Sequence, residues 1–302
     1  MVEILQNYLD YLRTQNYAQK SINTYYYNLK TFFEFIQNYM SFKSINKFSL
    51  LQIKESDIRA YLVYCSFELQ NNPYTREKKI VAIRMFYKWL ENEFKSDLFI
   101  NPTTYITNIK KVERLPKYLS IEEAKKVSNI FDEKNDTNYK RDNMIVSILL
   151  VSGIRISELT NIRVQNINFS ENTIVIKGKG NQERLVYLSS KCMNKLQTYI
   201  NDNNIQNYVF NLSIRTIEYI VKKAFKLADI DEKYSAHTLR HTSATLMYKQ
   251  TKDILLVKKF LGHKSLESTQ VYTHIYNEDV KNAVERNPLS NFMKEGERVA
   301  KN

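Results

Sequence analysis

Helical periodicity through the first 112 residues is the tightest constraint on what this chain can fold into. Ile4, Leu5, Tyr8, Leu9 and Leu12 recur at helical spacing. Ser21 is placed to cap a second helix, with Ile22, Tyr26, Leu29, Phe33 and Ile36 as its apolar stripe. Ser56 or Asp57 can open a third through Ile58, Tyr61, Leu62 and Cys65, and Pro73 suits the first turn of a fourth carrying Ile80, Ile83, Phe86, Tyr87, Trp89 and Leu90. Four striped helices imply a four-helix domain. Lys110 to Pro116 breaks the periodicity, and Ser120 followed by Ile121-Glu122-Glu123-Ala124 is a capping-box start for the next helix. The expected division is a helical domain over 1–112, a linker over 113–119 and a second domain over 120–302, ordinary sizes for 302 residues.

The second part mixes helices with one strand pair. A dense apolar run from Asn143 to Val151 reads as a buried helix that breaks at Ser152-Gly153 and restarts at Arg155-Ile156-Ser157-Glu158-Leu159. Thr173–Lys177 alternates as a strand, Gly178-Lys179-Gly180-Asn181 turns, and Glu183–Leu188 returns as a β-hairpin. Helices follow around 191–199 and 214–227, and another over Ile254–Leu261 stops at Gly262, a C-cap glycine. The fold class is therefore mainly α with a small β-hairpin or sheet.

Net charge is +13, with 16 basic against 11 acidic residues in 1–115 and 29 against 21 in the remainder. Both parts are basic, which suits a polyanion held between two lobes; the bland alternative is a solubilising surface. In the first domain Lys20 and Thr24, and Arg76 and Lys79, cluster near two helix starts, where phosphates are readily bound. For each singly, a solvated helix face is the simpler reading. No apolar run is long enough to span a membrane, and the N-terminus has no signal pattern, so a cytoplasmic protein is expected. Cys65 and Cys192 stand far apart in no motif and should pack as small apolar residues.

Arg155 stands three residues before Glu158, so one helical turn lets the carboxylate brace the guanidinium; a surface ion pair is the plain alternative. Lys179 at the hairpin tip is either solvated or aimed into a phosphate site. His237 and Arg240 share a helix face, and all four histidines fall between His237 and His274. The i, i+4 pair His237 and His241 admits zinc, but no Cys or carboxylate offers a third ligand nearby. Arg155, Lys179, His237, Arg240, His263 and Tyr272 together combine anion-binding groups, proton carriers and a nucleophile. No acidic cluster for Mg²⁺ and no nucleotide loop accompany them. That inventory suggests phosphoryl transfer through a covalent phosphotyrosine, without metal, ATP or other cofactor.

Gly153-Ile154-Arg155-Ile156-Ser157-Glu158-Leu159, Gly178-Lys179-Gly180, His237-Thr238-Leu239-Arg240-His241, and Leu261-Gly262-His263 followed nine residues later by Tyr272 occur in the order of one family. The chain resembles the tyrosine recombinases, or integrase family, and in particular its short Xer-like members, over most of its length. The resemblance implies a two-domain DNA clamp: a core-binding, SAM-like domain of four helices and a catalytic domain. It implies that Tyr272 attacks the scissile phosphate to form a 3′-phosphotyrosyl link, that Arg155 and Arg240 hold the non-bridging oxygens and that His263 adds a hydrogen bond. Lys179 would protonate the departing 5′ oxygen, His237 would assist the tyrosine's deprotonation, and Glu158 would orient Arg155. Lys177 and Arg184 on the hairpin join Lys20, Thr24, Arg76 and Lys79 as expected DNA contacts.

The partners so implied are double-stranded DNA and three further protomers, identical or including a second recombinase, acting on two sites through a Holliday junction. The task is chromosome dimer resolution or integration and excision of a mobile element. A C-terminal stretch with Val280, Ala283, Val284 and Leu289 would dock on a neighbouring protomer. Two positions depart from the family. The turn after the His-x-x-Arg helix reads Tyr248-Lys249-Gln250-Thr251-Lys252-Asp253 without a glycine, and Ser243 stands where Phe or Leu is usual. Both touch packing and weigh against the chromosome-maintenance subgroup. The rival functions are a type IB topoisomerase, a non-enzymatic DNA-binding module and a zinc hydrolase.

Overall fold

The structure is a computed structural model that describes residues 3–94, 99–110, 116–131, 137–178, 183–231, 233–263 and 265–272. The chain forms two compact units, Met1–Glu113 and Arg114–Asn302.

In the first unit the described residues form helices α1 (Glu3–Thr14), α2 (Gln19–Tyr39), α3 (Lys47–Gln52), α4 (Glu55–Phe67) and α5 (Pro73–Phe94). The short α3 is additional to the four expected. Asn46 starts it by accepting a hydrogen bond from Ser49 N at 3.0 Å, and Leu50 anchors it in the core. Two expected caps are corrected. α2 begins at Gln19 behind Ala18, with Ser21 inside its first turn. α4 begins behind Lys54, whose N–H donates to Asp57 Oδ2 at 2.8 Å, so Asp57 caps from the third position.

The core of this unit sets a cluster of aromatic rings among leucines and isoleucines. Tyr8, Phe32, Phe33, Tyr61, Phe86 and Tyr87 are all buried, and Tyr8 meets Phe86 edge to face at 5.3 Å. Lys79 lies within that core, 7% exposed, donating to Tyr61 Oη at 3.1 Å and Thr31 Oγ1 at 3.3 Å. Its expectation as a DNA contact is corrected on that ground. Arg76 is half-buried and donates to Ser66 Oγ at 3.0 Å, while Lys20 and Thr24 are exposed at the start of α2.

The second unit contains α6 (Ile121–Asn129), α7 (Thr137–Ser152), α8 (Ile156–Leu159), strands β1 (Ile167–Asn168), β2 (Thr173–Lys177) and β3 (Glu183–Tyr187), then α9 (Ser190–Asp202), α10 (Ile214–Leu227), α11 (Ala236–Thr251), α12 (Ile254–Leu261) and α13 (Glu267–Gln270). Ser120 and Glu123 form the capping box of α6. Leu119, expected at the end of the linker, is fully buried in this unit's core, and its N–H donates to Thr242 Oγ1 at 2.8 Å.

α7 is the central element: Ile145, Val146, Ile148 and Leu149 are buried, and α6, α9, α10 and α11 pack around it. The three strands form one antiparallel sheet in the order β1-β2-β3. Ile176 pairs with Arg184 and Ile174 with Val186, so Arg184 lies on the sheet's buried face. A smaller core of Ala244, Val257, Leu261 and Tyr272 joins α11, α12 and the end of the described chain. Cys65 and Cys192 are both free and buried. Among the described residues no helix is long and apolar enough to cross a membrane. The expected docking segment at Val280–Leu289 and the hairpin tip with Lys179 lie outside the described residues.

Candidate active site

The site begins where α7 stops. Gly153 has φ +60°, which glycine adopts without strain, and it turns the chain so that Arg155 becomes the N-cap of α8. Glu158, at the third helical position, accepts the Arg155 N–H on Oε2 at 2.8 Å and Arg155 Nη1 on Oε1 at 3.0 Å. Glu158 is 4% exposed, whereas the Arg155 side chain is 40% exposed. The carboxylate is thus an internal brace, and the guanidinium keeps an outward face.

A second guanidinium reaches the same carboxylate. Arg184 donates from Nη1 to Glu158 Oε1 and from Nη2 to Oε2, both at 3.2 Å. Its expected place as a DNA contact is corrected: the strand register turns it inward. Lys177 at the end of β2 is exposed and pairs with Glu183 at 3.3 Å. Burial lowers the Arg184 pKa, with Glu158 opposing and Arg155 adding to the fall.

Arg240 comes from the first turns of α11 and is 6% exposed. It donates from Nη1 to the Gly153 carbonyl and from Nη2 to the Leu261 carbonyl at 2.8 Å. Gly153 follows the last turn of α7 and Leu261 ends α12, so the cation meets the negative ends of two helices. Burial brings its pKa down to about 10, so it stays charged at neutral pH. Ser243, the departure noted above, donates its hydroxyl to Leu150 O and so satisfies a late carbonyl of α7. At the missing glycine, Lys252 takes the left-handed conformation, φ 55°, to end α11.

α12 ends at Gly262, φ +64°, and delivers His263, whose Nδ1 lies 2.9 Å from the buried Thr269 Oγ1. Burial, with Arg240 and Arg155 nearby, depresses the His263 pKa to about 4. Tyr272 follows the single turn of α13 and is 2% exposed. Its hydroxyl lies 2.8 Å from His241 Nδ1. Burial pushes the phenol up to about 12, against the pull of Arg240 and Arg155. His241 is held near 4, chiefly by burial and then by His237 and Arg240, so it is neutral at pH 7.

The structure gathers Arg155, Glu158, Arg240, His263 and Tyr272 at the junction of α7, α8, α11 and α12. His237 is exposed on the first turn of α11, and the imidazole at the tyrosine is His241, one turn further on. Sequence reading weighed His241 only as a zinc ligand. Its signal was there: as His237 and Arg240 share a face, so does a residue four past His237.

Two basic-rich units, one with guanidinium groups, imidazoles and a buried phenol in a single site, define a class of enzyme acting on phosphate esters. The profile described as "Phage integrase family" matches residues 117–279, and that of "Phage integrase, N-terminal SAM-like domain" matches residues 5–93. The tyrosine recombinase XerC of Caldanaerobacter subterraneus subsp. tengcongensis is 33% identical, over 95% of this chain and 87% of its own. In fold, the chain is similar to the XerH site-specific recombinase bound to a palindromic difH substrate (TM-score 0.75, 22% identity, 90% of this chain and 81% of that one). It is also similar to a λ integrase tetramer bound to a Holliday junction (TM-score 0.66, 16% identity, 88% and 76%). The chain belongs to the phage integrase family and within it is a Xer-like tyrosine recombinase, a DNA strand-transferring enzyme of site-specific recombination.

Proposed function

We propose that this recombinase cuts and rejoins DNA with Tyr272 as nucleophile, Arg155 and Arg240 as the oxyanion clamp, and His263 as an added donor. The observation that carries the reading is the Tyr272 hydroxyl, 2.8 Å from an imidazole on the helix that carries Arg240, with Arg240 and Arg155 both stabilising its phenolate. A bond forms from Tyr272 Oη to phosphorus as the bond to the 5′ oxygen breaks. The products are a 3′-phosphotyrosyl strand and a free 5′ hydroxyl. Neutral His241, with its proton on Nε2, accepts the phenol's hydrogen bond at Nδ1 in the resting arrangement and takes that proton as the bond to phosphorus forms. Exposed His237 is left free to face the phosphate, and Lys179 gives the proton that the departing oxygen takes. One ester is exchanged for another, so no nucleotide is consumed.

Tyr272 is 2% exposed, so its hydroxyl must leave this resting position before a phosphate in duplex DNA is attacked. The λ integrase and XerH structures hold DNA, the former as a tetramer. On that likeness this chain binds duplex DNA and assembles as four protomers on two sites, with an identical partner or a second recombinase, in the cytoplasm. Lys20, Thr24 and Arg76 would contact the backbone. The biological task is chromosome dimer resolution or integration and excision of a mobile element.

The test incubates the protein with duplex DNA from the region of its own gene and looks for a denaturant-stable protein–DNA adduct, with and without EDTA. Tyr272→Phe abolishes the adduct and retains binding. An adduct persisting in that variant places the nucleophile elsewhere.

A further inference from the structure

A carboxylate that braces an arginine also cancels it. Glu158 fixes Arg155 with two hydrogen bonds, yet a lone Glu158–Arg155 pair carries no net charge toward a phosphate. The structure resolves the conflict with Arg184. Its two terminal nitrogens fork onto both oxygens of Glu158, so the buried carboxylate accepts four donors, filling its usual capacity. Across Arg155, Arg184, Arg240 and Glu158 the formal charge is three positive and one negative, or +2; without Arg184 it is +1.

Space has been kept for this contact. A Cβ on Gly262 would overlap Arg184 Nε and Cδ, so the glycine that precedes His263 also makes room for this side chain. Arg184 Nε is buried there and has no hydrogen-bond partner among the described residues. Arg184 also stands on the sheet face shared with Ile176 and Val186, where an arginine without an acidic partner would be costly.

We infer that Arg184 is a positioning residue for strand cleavage: by neutralising Glu158 it lets that carboxylate orient Arg155 while leaving Arg155's charge for the scissile phosphate. Arg184 itself does not touch DNA in this scheme. The inference rests on the strand-transfer reading above and deepens it.

The experiment compares wild type with Arg184→Met, Arg184→Lys, Glu158→Gln and the double variant Glu158→Gln/Arg184→Met. The substrate is a nicked duplex carrying a sequence that the wild-type chain selects from fragmented DNA of its source genome. Adduct formation is followed in single turnover, DNA affinity by titration, and folding by thermal melting. Arg184→Met slows adduct formation by roughly 100-fold, the scale of losing one charge stabiliser, while DNA affinity changes less than about threefold.

The charge count sets the decisive arm. Removing the carboxylate from the Met variant returns the formal charge to +2, so the double variant cleaves faster than Arg184→Met alone. Arg184→Lys, which keeps the charge and loses the fork, falls between Arg184→Met and wild type. It carries the comparison if the Met variant does not fold. A double variant slower than Arg184→Met, or a Lys variant as slow as a Met variant that folds, overturns the inference and makes Arg184 a packing residue. A parallel loss of affinity overturns it in favour of a direct DNA contact. If wild type itself forms no adduct, the strand-transfer reading fails, and this inference with it.

Discussion

Each unit holds a cation against polar partners, but the two do so differently. Lys79 in the first unit is 7% exposed and meets neutral hydroxyls, those of Tyr61 and Thr31. Arg155 in the second is held by a charged, buried carboxylate and keeps 40% of its side chain exposed. Tyr61 and Thr31 are also bonded to each other at 2.9 Å, so the Lys79 amine is an addition to a closed pair. Glu158 instead requires its cations. A buried charge satisfied by dipoles reports on packing, whereas one tied to a carboxylate and left open on one side is positioned to meet something outside.

The largest effect that would sharpen the contrast is at the phenol. Tyr272→Phe removes the hydroxyl and should lower adduct formation by about 10⁴-fold or more while binding persists, as loss of a nucleophile does. Next, Arg155→Ala should slow cleavage by roughly 10²–10³-fold with a much smaller loss of affinity. Equal losses in both measurements would make Arg155 an ordinary phosphate anchor and erase its difference from a surface lysine.

A third expectation concerns pH. The folded-state pKa values of His241 and His263 are depressed from 6.5 to about 4, so between these values the unfolded chain binds protons that the folded chain refuses. Stability present above pH 6.5 is therefore lost as pH falls towards 4, and the melting temperature should drop across that window. The slope should lessen in His263→Asn. An unchanged slope in that variant would remove His263 as its source.

Lys79→Met should then leave DNA affinity unaltered and shift stability by no more than about 1 kcal/mol, because the two hydroxyls remain paired. A clear loss of DNA affinity in a folded Lys79→Met protein would break the comparison outright. The smallest effect is at Lys252, where φ is 55°: Lys252→Gly should raise stability by up to about 1 kcal/mol by relieving left-handed strain, without changing cleavage.

Much of the site was legible because its local geometry is set by short spacings. Arg155 and Glu158 lie three apart, and a helix start at Gly153-Ile154-Arg155 leaves the carboxylate little choice but to return to the N-cap. Gly262 ended α12 as expected, and β2 and β3 pair antiparallel as the alternating strands required. Arg184 was misread because both phases of its strand look apolar. Leu185 and Tyr187 could have faced the core as well as Val186 and Leu188, and only docking of the hairpin exposes the first pair and buries the second. α3 escaped notice because six residues show too little periodicity, and its signal is the cap at Asn46.

By itself the sequence determined the helical stripes, the hairpin, the breaks at Gly153 and Gly262, and the order of the candidate residues, since each depends on neighbours within a few positions. Only tertiary structure decided which cations face inward and which imidazole meets the phenol. Lys79 and Arg184 were expected on the surface, but burial depends on which faces of separate elements come together. His241 reaches Tyr272 across 31 positions because α11, α12 and the last described turn share one small core. Charge in a sequence is a count, and what it acts on is set by packing.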